Sequence, residues 1–315
     1  MTATHRPRGP AMAVLAALRP KQWVKNLFVL GPLLFSRQMT RVDTCLDALQ
    51  ALAAFCLASS AVYVLNDLLD IDADRQHPVK RRRPIAAGEI SRPVALLLAV
   101  LLTAAAAATA TSLGAVFLAL LLAYVALNVS YSLGLKHVVI VDVMMIGAGF
   151  VLRVLGGVAA VSRPDAPVSP SHWLVLCTIL LSVFLAFTKR RAELATLDDK
   201  AADHRRVLTS YSPAFLDQMI SVVTAATLMC YILYTVDPRT VAQVAGGSRG
   251  LLLTVPFVMY GIFRYLYVVY HREQGDNPTL ALLSDKTLIV DIVLWALVCS
   301  AVIYRPDAFK GWFAP

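Results

Sequence analysis

The stretch Tyr63–Arg92, YVLNDLLDIDADRQHPVKRRRPIAAGEISR, decides how the rest of the chain is read. It starts inside an apolar run and ends that run with Asn66, Asp67, Asp70, Asp72 and Asp74. Lys80, Arg81, Arg82 and Arg83 follow at once. Acids and bases are packed side by side where an apolar segment stops.

Working outward, the chain around this stretch is overwhelmingly apolar. Of its 315 residues 58% are hydrophobic and 16% are charged. Soluble domains carry about a quarter charged residues, so this composition predicts a polytopic membrane protein. No long polar block could fold separately, so residues 1–315 read as one all-α membrane domain. Apolar runs predict about nine transmembrane helices, near 22–36, 44–66, 93–111, 114–132, 138–160, 171–188, 213–236, 250–270 and 286–304. The first is short and broken by Gly31-Pro32, and residues 1–18 form a tail ahead of it. Two long charged loops, 67–92 and 189–212, follow the second and sixth helices. Their spacing suggests two similar four-helix units, without a clear internal repeat.

Charge placement sets the orientation. With nine spans and the N-terminus inside, the inner segments hold twenty Lys and Arg and the outer ones seven. Cations collect on the cytoplasmic side, which predicts a plasma-membrane protein with its N-terminus and both charged loops in the cytoplasm. The net charge of +9 does not point to nucleic acid, because the cations lie in loops between apolar runs. The five cysteines show no metal-ligand spacing and read as core residues. The apolar run 11–18 is short and is followed by Arg19-Pro20-Lys21, which argues against a cleaved signal peptide.

On an α-helix Asn66, Asp70 and Asp74 repeat every fourth residue, and Tyr63 and Asp67 fall on the same face. Clustered carboxylates repel unless a cation lies between them. Their oxygens suit Mg²⁺, with Mn²⁺ as an alternative. Magnesium keeps coordination positions for phosphate oxygens, so a diphosphate ligand is implied, which Lys80, Arg81, Arg82 and Arg83 could embrace. A plainer reading makes the basic run an anchor on the inner leaflet.

Asn66-Asp67-Leu68-Leu69-Asp70-Ile71-Asp72-Ala73-Asp74 resembles the NDxxDxxxD pattern of the UbiA superfamily of intramembrane prenyltransferases. Nine helices with charged loops after the second and sixth match it too. The resemblance implies a Mg²⁺-bound diphosphate at the cytoplasmic helix ends and a lipid tail in a groove between helices. It makes Asn66 and Asp70 metal ligands, and Asp67, Asp70 and Asp74 the catalytic acids. One departure stands out. The superfamily's second motif, DxxxD, is replaced by Phe187-Thr188-Lys189-Arg190-Arg191-Ala192-Glu193. Glu193 stands four residues after Lys189, where a simple ion pair is an adequate explanation. Asp198, Asp199 and Asp203 read as loop-solvating residues.

Further cations gather at the same face. Arg19-Pro20-Lys21-Gln22-Trp23-Val24-Lys25-Asn26 sets Lys21 and Lys25 four apart, and Tyr131-Ser132-Leu133-Gly134-Leu135-Lys136 ends the fourth helix. Taken alone, each lysine could be an interfacial anchor. Taken together, these segments resemble the phosphoribosyl-transferring branch of the superfamily. That implies 5-phosphoribosyl 1-diphosphate as donor and a polyprenyl phosphate such as decaprenyl phosphate as acceptor. Diphosphate would be released, and the product would feed arabinan and cell-wall synthesis. Lys21, Lys25, Tyr63, Lys80, Arg81, Arg82, Arg83, Tyr131, Lys136, Lys189 and Arg190 are then the substrate-binding candidates. The alternatives are a Mg²⁺-dependent aromatic prenyltransferase using a prenyl diphosphate and, in another class, a transporter. A homo-oligomer is left open. Asp142 and Arg153 share a face of the fifth helix, lining the site entrance or pairing elsewhere. Arg264 and Asp291 could form an ion pair. His77 reads as a loop residue, and Phe263, Tyr265, Tyr267 and Tyr270 as an interfacial belt.

Overall fold

The computed structural model describes residues 8–77, 79–196, 208, 210–271 and 284–309. The described residues are helical almost throughout, with one isolated β-bridge between Arg163 and Ala166. Helix α1 (Pro10–Leu18) leads into a 3₁₀ helix (Pro20–Leu30) and the short α2 (Gly31–Phe35). Then come α3 (Val42–Leu69), α4 (Ile71–Gln76), α5 (Arg92–Thr111), α6 (Ala115–Leu133), α7 (Val141–Val161) and α8 (His172–Thr196). The remainder is α9 (Pro213–Val236), α10 (Pro238–Gln243), α11 (Val255–His271) and α12 (Lys286–Tyr304). Eight helices among the described residues are long and apolar enough to cross a membrane, and the chain is a multi-pass membrane protein. The ninth expected crossing is the 3₁₀–α2 segment, interrupted at Gly31-Pro32 as its sequence predicts.

Two cores hold the helices. In the first, Ala51, Ala54, Ala58, Ala106 and Ala110 let α3 and α5 approach closely. Phe55 packs edge-on against Phe117 and Tyr124 of α6, with ring centroids 5.8 and 5.4 Å apart. In the second, Phe184, Leu216, Ile220, Tyr265 and Leu288 bring α8, α9, α11 and α12 together. Leu and Val side chains such as Leu97, Leu101 and Val290 face outward, as lipid contact requires.

The N-terminal stretch read as a tail folds against this bundle. Ala13 and Ala17 of α1 are buried with Val64, Ile71 and Ile90. The α3 polar residues then catch the 3₁₀ helix: Trp23 Nε1 donates to Ser60 Oγ at 3.0 Å, and Asn26 Nδ2 to Ser59 Oγ at 3.1 Å. On its other side α7 comes in at Gly157, where a Cβ would lie 2.1 Å from the Val29 carbonyl oxygen. Only glycine admits that approach.

Helix α8 is longer than hydropathy predicts. It continues through Lys189, Arg190 and Arg191 to Thr196, because the charges there find partners instead of water.

Candidate active site

A cavity of about 2610 Å³ runs between the two cores. One end is walled by α3, α4, the end of α6 and α8, and carries the aspartates. The far end is reached by Gln38, Arg41, His172 and Asp237. Between them lies an apolar stretch that includes Phe28, Val62, Phe150, Val158, Phe184 and Trp295. At the aspartate end the lining charges are Arg19, Lys25, Lys80, Arg83, Lys136, Arg153 and Lys189 against Asp70, Asp74, Glu193 and Asp291. The imbalance favours ligands with several negative charges.

The acids do not all share one face. Helix α3 stops at Leu69, and Asp70 leaves helical geometry before α4 resumes at Ile71. Asn66 and Asp70 border the cavity. Asp67 turns away from it, buried between Arg19 and Arg83; Arg83 Nη1 donates to Asp67 Oδ1 at 3.0 Å. Asp74 is also buried, and accepts from Arg83 at 2.6 Å. Burial pushes the Asp74 carboxyl above the usual carboxylate range, against the pull of Arg83. Lys136 Nζ donates to Asp70 Oδ1 at 2.7 Å, closing the α6–α7 turn over the site. Among the described residues no three acids, imidazoles or thiolates converge as a metal cage. Arg83 engages Asp67 and Asp74, which leaves Asn66 and Asp70, the two metal ligands the resemblance implies, bordering the cavity.

What remains still fits a hard divalent cation. Asn66 Oδ1 is buried and makes no hydrogen bond among the described residues. Such an orphaned acceptor costs about 1–3 kcal/mol. An oxygen donor of this kind, beside the half-exposed Asp70, suits Mg²⁺.

The substrate-binding candidates divide sharply. Tyr63, with the Arg19 guanidinium 5.2 Å above its ring, lines the cavity, as do Lys25, Lys80, Arg83, Tyr131, Lys136 and Lys189. Lys21, Arg81 and Arg82 are exposed and lie off the cavity. The reason is helical period. In a 3₁₀ helix, side chains three apart eclipse one another. Arg19, Gln22, Lys25 and Phe28 therefore share the cavity wall, and Lys21, four before Lys25, points elsewhere. Lys80–Arg82 is also 3₁₀, which pairs Lys80 with Arg83 and turns Arg81 and Arg82 outward.

Arg190 is corrected from substrate ligand to internal strut. It is fully buried and its Nε donates to Asp142 Oδ2 at 2.7 Å, with Nη1 to Glu193 at 2.5 Å and Nη2 to Tyr131 Oη at 3.3 Å. Asp142 also accepts from Tyr211 Oη at 2.8 Å, and that hydroxyl accepts from the Ile140 backbone N–H at 2.7 Å. Burial pushes the Tyr211 phenol up to about 12, so it stays a donor to Asp142. Ile140 has φ 68°, a strained value for a β-branched residue. Tyr211 thus pins the turn that carries Lys136. Sequence spacing does not reveal Tyr211 as a site residue.

The expected Arg264–Asp291 pair is not formed. Arg264 Nη2 donates to Asp285 at 2.8 Å, and Asp291 faces the cavity beside Gly261. Asp142 and Arg153 each find partners on other elements, Asp142 on Arg190 and Arg153 on Asn26 and Tyr124, and Arg153 also lines the cavity. His77 Nδ1 accepts from the Val79 and Lys80 backbone N–H groups, as a loop residue would. Phe263, Tyr267 and Tyr270 are exposed, consistent with a belt, and Tyr265 is buried. Asp198, Asp199 and Asp203 lie outside the described residues.

Helical bundle, central cavity and an aspartate-bearing end define an intramembrane transferase. Residues 28–303 match the UbiA prenyltransferase family, and the chain belongs to it. Within that family it is similar to the decaprenyl-phosphate phosphoribosyltransferase of Corynebacterium glutamicum, with 35% identity covering 96% of this chain and 90% of that one. The Mycolicibacterium smegmatis protein of the same name is 32% identical, covering 95% and 94%. Among solved structures, a UbiA homolog from Archaeoglobus fulgidus bound to GPP and Mg²⁺ shares the fold, with a TM-score of 0.69 at 19% identity. That match covers 93% of this chain and 99% of the other.

Proposed function

We propose that the protein transfers 5-phosphoribose from 5-phosphoribosyl 1-diphosphate to a polyprenyl phosphate, decaprenyl phosphate being the natural candidate. Diphosphate is released, and the product is a precursor for cell-wall arabinan. The observation that carries this reading is the wall opposite the aspartates. It presents Lys189 to the cavity where the superfamily pattern has acids. A donor bearing a 5-phosphate besides its diphosphate needs that added cation, and a prenyl diphosphate with a neutral aromatic acceptor does not. The naming of the corynebacterial and mycobacterial relatives supports the same choice.

Asn66 and Asp70 would hold Mg²⁺, which when bound neutralises charge on the leaving diphosphate. Lys80, Arg83 and Lys136 orient that diphosphate by charge-assisted hydrogen bonds. Lys189 and Tyr131, across the cavity, meet the 5-phosphate. Departure of diphosphate from ribose C1 builds negative charge on its bridging oxygen, and the fixed cations stabilise it. A phosphate monoester is largely dianionic at neutral pH, so the acceptor needs no general base. Displacement from the opposite face inverts C1. The site faces the cytoplasm of the plasma membrane, as the placement of Lys and Arg supports.

Purified protein with labelled 5-phosphoribosyl 1-diphosphate should release diphosphate only when polyprenyl phosphate is added, and label should enter the lipid. Transfer from a prenyl diphosphate to an aromatic acceptor instead would replace this reading with the alternative.

A further inference from the structure

Most cations at the aspartate end have an acid to answer them. Arg83 has Asp67 and Asp74, Lys136 has Asp70, and Arg190 has Asp142. Two do not. Arg153 leaves α7 twelve residues past Val141, roughly 18 Å along the helix. It is 6% exposed yet borders the cavity. Its Nε donates to Asn26 Oδ1 at 2.8 Å, Nη1 to the Gly149 carbonyl at 3.0 Å and Nη2 to Tyr124 Oη at 2.8 Å. All three acceptors are neutral. Its guanidinium also stacks on the rings of Tyr124 and Phe150, at 4.6 and 5.0 Å. Beside it Lys25 borders the same cavity and makes no hydrogen bond or ion pair among the described residues. Arg153 lies close enough to repel it.

Two neighbouring cations inside a membrane protein are expensive without a counter-charge, and such residues mark binding sites. Guanidinium carries five N–H donors, of which these bonds use three. We propose that Lys25 and Arg153 bind the phosphate of the polyprenyl phosphate acceptor, deeper in the bundle than the donor diphosphate. The inference rests on the phosphoribosyl-transfer reading above. The surroundings favour a lipid headgroup over the sugar donor: Phe28, Val62, Val154 and Val158 line the adjoining cavity wall. An isoprenoid tail continues naturally into that surface, whereas a ribose would bury its hydroxyls against hydrocarbon. The placement also sets the reaction in line. A lone pair on the acceptor phosphate oxygen forms the new bond to C1 from below. The C1–oxygen bond to diphosphate breaks above, and its electron pair leaves with the diphosphate toward Asn66 and Asp70. No proton moves.

The test uses the full chain in lipid nanodiscs. Lys25 holds nothing in the fold, so Lys25→Gln should fold normally. It should raise KM for decaprenyl phosphate about tenfold, the worth of one charge-assisted hydrogen bond, with the donor KM changed less than about twofold. In binding experiments without donor, wild type should prefer decaprenyl phosphate to decaprenol, and Lys25→Gln should lose that preference. Arg153→Lys, which keeps the charge, should retain it in part. A shift in donor KM instead, or no shift in either, overturns the assignment. So does displacement of the lipid by an equal concentration of inorganic phosphate, which would mark a free-phosphate site. If wild type transfers no phosphoribose while Lys25→Gln still removes the lipid-phosphate preference, the anion site stands and the reaction assigned above falls.

Discussion

Lys80–Arg83 and Lys189–Arg191 are alike on paper, each a block of consecutive bases after an apolar helix. In the structure they behave differently. The first block is a 3₁₀ turn at the bundle's end, where Lys80 and Arg83 face the cavity and Arg81 and Arg82 face solvent. The second block lies within α8, where successive side chains point about 100° apart. Lys189 reaches the cavity, Arg190 goes into the protein against Asp142, and Arg191 pairs with Asp217 at 2.8 Å. One residue of the second block thus touches the cavity, one holds the bundle together and one braces α9. A run of bases is not a functional unit; the backbone beneath it distributes the roles.

That contrast can be broken most forcefully at Arg190. Arg190→Ala strands Asp142 in the protein interior and should cost about 3–5 kcal/mol, seen as lost folded protein in detergent melts. A folded Arg190→Ala protein with only a raised donor KM would return Arg190 to the ligands. Next comes Asp70→Ala, expected to lower kcat about 100-fold or more with the melting temperature nearly unchanged. Normal turnover in that variant would end its role at the metal. Lys189→Met should raise the donor KM about tenfold and leave kcat close to wild type. Tyr211→Phe removes the clasp on Ile140 and should cost about 1 kcal/mol, with a modest rise in donor KM as Lys136 loosens. The double variant Arg81→Gln, Arg82→Gln should change turnover less than about twofold, since exposed charges contribute little. A tenfold loss there would show that the outward half of the first block also meets substrate.

Much of this was readable from residues alone, for definite reasons. Helices α9 and α12 begin where their N-caps stand: Ser212 accepts from the Phe215 backbone N–H and Asp285 from that of Leu288. Local signals of that kind survive folding. The Asn66–Asp74 segment, which resembles a metal and diphosphate motif, lies at one end of the central cavity. What was not readable came from two sources. One is the period: Lys21 with Lys25, and the three acids Asp67, Asp70 and Asp74, align on an α-helix that the backbone does not follow at those places. The other is long-range pairing. Asp67 is claimed by Arg19, 48 residues away, and Asp142 by Arg190 and Tyr211, 48 and 69 residues away. Spacing within one helix cannot reveal a partner on another.

The 3₁₀ helix before α2 sets how far its segment reaches. Sixteen residues wound entirely as an α-helix reach about 24 Å, short of a hydrocarbon core about 30 Å thick. Eleven residues stretched to a rise of about 2.0 Å, with five more at about 1.5 Å, reach close to the full thickness. Tight winding therefore gives an undersized segment the length of a crossing. Replacing Pro20 or Gly31-Pro32 with strong α-formers would shorten that segment and draw Lys25 away from Arg153.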